Sequence, residues 1–255
     1  MSRMEMQPRL ILLLLAILQP LSGALAPLLG IGTPIGNATR DLGAPEQPLP
    51  LFFSVWSLIF FAYLAFSLFA IFRRERWMER IALPLVIAGM LNVIWMLSAQ
   101  LIVSPPLDFA LLFPIGAAAW YSAWCFDQMR GMGGSAAKLT ADAVTGLLSG
   151  WITVAAAISI PITIRHFTTL GATDYPWLML WATLVPAAMA AWCFTRYISR
   201  SPWFFVALGW GLLGILLNNW TVTGMNWLAI MTGMVAVLVL YLRITRGAHG
   251  AVAAA

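Results

Sequence analysis

The chain has 255 residues, 62% of them hydrophobic and only 9% charged, against about 25% charged in a soluble domain. That balance excludes a water-soluble globule, and the high hydrophobicity excludes a disordered chain. The net charge of +5 does not point to nucleic acid, because the basic residues lie between apolar runs rather than on a soluble face interleaved with stacking aromatics.

Apolar runs of about 20 residues recur, each long enough to cross a bilayer as a helix. The alternating segments of about 10 residues that mark a β-barrel are missing. The expected fold is an all-α integral membrane protein of about eight transmembrane helices. The spans read as Arg9–Ile31, Leu51–Phe72, Arg80–Val103, Leu107–Met129, Leu139–Ile164, Pro176–Ile198, Pro202–Asn218 and Gly224–Leu242. Pro202 suits the first turn of the seventh. In the first, Arg3 and Arg9 precede a leucine-rich stretch, and Ala24-Leu25-Ala26 resembles a signal-peptidase site. Pro27 would follow the cut and the apolar run continues beyond it, so a retained anchor is expected.

With the N-terminus in the cytoplasm, Arg3, Arg9, Arg73, Arg74, Arg76, Arg80, Arg130, Lys138, Arg196, Arg200, Arg243 and Arg246 fall inside, and only Arg40 and Arg165 outside. This bias predicts both termini in the cytoplasm. The longest outer loop, Gly32 to Pro50, carries glycines and prolines that favour an extended or turning path. No loop is large enough to hold a soluble domain, so function must be built between helices or at their ends.

No phosphate-binding glycine loop, paired-histidine metal helix or nucleophile elbow is present. Cys125 and Cys193 lie in apolar runs without metal-type spacing. His166 and His249 read as loop or tail residues, and Asp108, Asp174, Asp127 and Asp142 sit at span ends rather than at mid-depth, where a proton-driven pump buries its acid. The expectation is therefore a protein that is not an enzyme. The deep polar residue is Asn92, one turn before Trp95 on the same helix face. Its amide serves either as a hydrogen bond between helices or as a polar contact in a ligand pocket.

Thirteen tryptophans stand in the chain. Trp177, Trp181, Trp203, Trp220 and Trp227 fit an interfacial belt. Trp95, Trp120, Trp124, Trp151 and Trp210 lie near mid-depth and Trp56 in the outer half of its span. Indoles at those depths fill a core or line a cavity for a flat apolar ligand. Gly146 and Gly150 form a Gly-x-x-x-Gly step, suited to close packing within the chain or to a dimer face.

Three segments carry a family resemblance. Phe52-Phe53-Ser54-Val55-Trp56-Ser57-Leu58-Ile59-Phe60 resembles the Phe-x-x-Val-Trp-x-x-Leu-Tyr helix of the TspO/MBR family, the tryptophan-rich sensory and translocator proteins, with Phe60 for the tyrosine. Leu91-Asn92-x-x-Trp95 is similar to its Leu-Asn-x-x-Trp, and Trp151-Ile152-Thr153-Val154-Ala155 to its Trp-Val-x-Phe-Ala. The proline-rich approach at Pro48 and Pro50 lacks the family's tryptophan, Leu147 and Leu148 replace a Pro-Tyr, and Ser159 stands where the family has asparagine.

The resemblance implies a five-helix core over residues 9–166 and a three-helix extension over 176–243. It implies binding of a hydrophobic small molecule, a tetrapyrrole such as heme or protoporphyrin or a lipid, for sensing or transport. Phe52, Trp56, Asn92, Trp95, Trp120 and Trp151 would be the pocket residues, with no metal and no further cofactor. It further implies a homodimer, in a bacterial inner membrane. Two rival readings are a structural or assembly subunit of a membrane complex and an intramembrane enzyme acting on a porphyrin-like ligand.

Overall fold

The computed structural model describes residues 3–35, 43–73, 75–129 and 135–246. The described residues form α1 (Arg3–Gly23), α2 (Leu25–Leu29), α3 (Val55–Arg73), α4 (Arg76–Leu101), α5 (Pro105–Gln128), α6 (Ser135–Phe167), α7 (Pro176–Cys193), α8 (Pro202–Thr221) and α9 (Asn226–Arg246), with no strand among them. A 3-10 turn, Pro50–Ser54, leads into α3, and a π-helical turn, Phe194–Ile198, ends α7. Among the described residues, seven helical segments are long and apolar enough to cross a membrane, and Pro8–Gly23 of α1 is a shorter apolar one. The protein is thus an all-α membrane protein.

Prolines lie within several helices, as at Pro84, Pro114, Pro161 and Pro186, and also open others. Pro105, Pro176 and Pro202 open α5, α7 and α8, where no intrahelical donor is needed. Pro27 accounts for a departure from the continuous first span. Its ring and missing donor oppose the Gly23 carbonyl, and the chain breaks between α1 and α2 before turning at Gly30, whose φ is +67°. The fifth span is longer than its apolar run implies: α6 has 33 residues, about 50 Å at 1.5 Å per residue.

The helices close into two rings. α1 packs on α3 and α4, α3 on α6, α6 on α5, and α5 on α4, so the first ring runs α1–α3–α6–α5–α4. α6 also packs on α7 and α8, and both of these on α9, which closes a second ring, α6–α7–α9–α8. The shared helix meets α8 through the Gly-x-x-x-Gly step. A Cβ on Gly146 would meet Ser201 and Trp203, and one on Gly150 would meet the backbone carbonyl of Phe204. The step therefore serves packing within the chain.

One end of the bundle is basic, with Arg9, Arg76, Arg80, Lys138, Arg196 and Arg200 on it; the other carries the segment 43–50. That segment is not solvated. Ala44, Glu46 and Gln47 are buried. Asn218 of α8 donates to the Ala44 carbonyl at 3.0 Å, Asn219 to that of Pro45 at 2.6 Å, and the Leu49 N–H to the Gly214 carbonyl at 3.3 Å. Glu46 forms a buried ion pair with Arg165 of α6. Arg165 also donates to the carbonyls of Gly171 and Ala172 at 3.2 and 3.0 Å. On the basic face Arg9 of α1 pairs with Glu79 of α4 at 2.7 Å.

Candidate ligand-binding site

A cavity of about 60 Å³ lies inside the first ring, beneath segment 43–50. Its indole walls come from three helices: Trp56 of α3, Trp95 of α4 and Trp151 of α6. The Trp56 and Trp95 ring centroids are 5.8 Å apart at 31°, and Trp151 stands edge-on to Trp56 at 6.3 Å and 82°. Phe53 adds a second edge contact to Trp151 at 5.7 Å. These separations fall within the range of favourable aromatic pairs. Trp56 and Trp95 are 8% exposed and Trp151 1%. The indole Nε1–H of Trp56 and of Trp95 is buried without a hydrogen-bond partner.

Polar groups enter the cavity from the end near segment 43–50. Gln47 comes from that segment, and Asp108 from the first turn of α5, where its Oδ1 accepts from Ser98 Oγ at 2.9 Å. Ser159 also lines the cavity, but its hydroxyl donates to the Ala155 carbonyl of its own helix at 2.8 Å. The site is thus an apolar aromatic slot with a polar rim, the usual make-up of a small-molecule pocket.

The remaining sequence candidates lie elsewhere. Phe52 packs on Trp210 with centroids 4.6 Å apart, and its carbonyl accepts from Trp210 Nε1 at 3.0 Å. The 3-10 turn explains the exchange of neighbours. At three residues per turn Phe53 lies over Trp56 and Phe52 faces away. Asn92 is fully buried between α4 and α1, where its Nδ2 donates to Gln19 Oε1 at 2.9 Å. Trp120 lines a separate apolar cleft of about 370 Å³ between α5, α6 and α7, with its ring 5.4 Å from Phe194. Trp124 and Trp210, at mid-depth by sequence, are 40% and 36% exposed on outer helix faces.

Sequence reasoning passed over Phe53 and Gln47. Phe53 was reachable through the three-residue spacing to Trp56 after a proline-led turn. Gln47 gave no local signal, because its burial depends on α8, far along the chain.

The described residues thus form a helical membrane bundle with an indole-lined cavity inside its first ring. The chain belongs to the TSPO-like family: it matches the family described as TSPO-like protein over residues 10–245, a stretch that includes helices of both rings. Searches of curated proteins and of solved structures each returned no match to the chain.

Proposed function

We propose that this protein binds a flat hydrophobic small molecule, a tetrapyrrole or lipid-like compound, in the cavity between Trp56, Trp95 and Trp151, for sensing or transport. The carrying observation is the pair of unpartnered indole N–H groups beside the cavity. A buried donor without an acceptor costs about 1–3 kcal/mol, and a ligand bearing a carbonyl or carboxylate would remove that cost while stacking on the rings. The free space of about 60 Å³ is below the roughly 300–1,000 Å³ of ordinary ligand pockets. Loading therefore includes displacement of a wall, and Gln47 of segment 43–50 and Ile35 are wall residues that lie outside the membrane helices. We place the basic face in the cytoplasm of a bacterial inner membrane, as the charge bias favours.

The test is tryptophan quenching by protoporphyrin in detergent, with absorbance and mass spectrometry of whatever copurifies. Saturable quenching that Trp95→Phe and Trp151→Phe each weaken, and Trp220→Phe does not, supports the reading. Equal effects from all three substitutions would mean partitioning into detergent and end it. Turnover of the porphyrin by the pure protein would replace binding with catalysis.

A further inference from the structure

We propose that the basic face carries a second site, for the phosphate headgroup of an anionic membrane phospholipid, in the groove between the basic ends of α4 and α5. The groove has a volume of about 420 Å³ and is lined by Glu79, Arg80, Pro84, Tyr121, Trp124 and Gln128 among others. It lies outside the ring cavity and shares no residue with it.

Charge decides the occupant. Glu79, the acid of the groove, is held by Arg9 at 2.7 Å. Arg80 is exposed, and no carboxylate among the described residues pairs with it. The groove therefore presents one uncompensated guanidinium, whose planar fork matches a phosphate. Pro84, inside α4, lacks the N–H that would otherwise serve the Arg80 carbonyl.

The surroundings fit a lipid rather than a soluble phosphate. Trp124, placed near mid-depth by its apolar run, stands only one turn from the end of α5 at Gln128. It stacks on Tyr121 at 5.8 Å and 17° beside the groove, both exposed, toward the headgroup depth where aromatic residues concentrate. From there Leu83, Ile87, Met90 and Ile94 form one exposed stripe along α4. The stripe runs from Leu83 to Ile94, roughly 16 Å at 1.5 Å per residue, about half of a 30 Å hydrocarbon core. A lipid anchored at Arg80 would lay its chains along that stripe within one leaflet.

Native mass spectrometry of the full chain, titrated with phosphatidylglycerol or with phosphatidylcholine of the same chains, tests the site. One saturable phosphatidylglycerol is expected, bound more tightly than phosphatidylcholine. Arg80→Gln should weaken it about fivefold, the effect of one basic residue beside an anionic headgroup, and Trp124→Leu should weaken both lipids. Arg196→Gln, an exposed cation elsewhere on the same face, should leave it unchanged, and millimolar glycerol phosphate should not compete. Equal binding of the two lipids, equal losses from Arg80→Gln and Arg196→Gln, or full competition by glycerol phosphate would overturn the proposal. None of these readouts involves the tryptophan cavity.

Discussion

The carboxylate of Glu46 is buried against the guanidinium of Arg165, tying the segment beside the cavity to the end of α6. Removing one partner of a buried pair leaves an uncompensated charge, at about 3–5 kcal/mol. Glu46→Gln and Arg165→Met should each lower the midpoint of thermal unfolding in detergent markedly. The double substitution should cost less than the sum, since no charge is then stranded. Additive losses would show that the two side chains do not act as a pair.

The contact between α6 and α8 predicts opposite signs for one substitution at two glycines. Gly150→Ala drives a methyl into the Phe204 backbone, which cannot yield as a flexible side chain would. A destabilisation of about 1–3 kcal/mol is expected from overpacking. At Gly209 of α8 a Cβ meets nothing within 4 Å, so Gly209→Ala should be neutral or stabilise by about 0.5–1 kcal/mol through helix propensity. Thermal unfolding of the two variants side by side measures this, and equal effects would contradict the packing described.

Asn92 joins α4 to α1 through Gln19 and does not line the tryptophan cavity. Asn92→Leu should cost about 0.6–1.7 kcal/mol, the range of hydrogen bonds within membrane bundles. Protoporphyrin affinity per folded molecule should stay unchanged. A selective loss of affinity at full stability would place the amide in the binding site instead.

Topology gives a fourth expectation. Reporters fused after Ala255 and inserted between Arg165 and Tyr175 should read opposite sides of the membrane, with the C-terminus cytoplasmic. A C-terminal reporter outside would break the even number of crossings.

Depth was legible in the residues, and rotation about each helix axis was not. Trp95 and Trp151 sit at similar depth because their apolar runs place them there, and they do share a cavity. Trp120 has comparable depth, but α5 turns it toward α7, an element whose partnership no local pattern reveals. The one-residue difference between Phe52 and Phe53 hinged on three rather than 3.6 residues per turn, which a proline-led sequence only hints at. Segment 43–50 reads as an extended or turning path from its prolines and glycine, with no sign of burial. Its burial is tied to Asn218 and Asn219 of α8, 174 residues further along the chain from the carbonyls they hold.

Gly150 and Trp151 are consecutive on α6, one against the backbone of α8 and the other at the cavity wall. An α-helix cannot shift one residue and spare the next, and there is no side chain at Gly150 to absorb a displacement. A displacement of the backbone at Trp151 would therefore bear directly on the close contact of α6 with the α8 main chain. α8 in turn holds segment 43–50 through Asn218 and Asn219, so wall, neighbouring ring and covering segment form one mechanical loop that starts and ends at the same cavity.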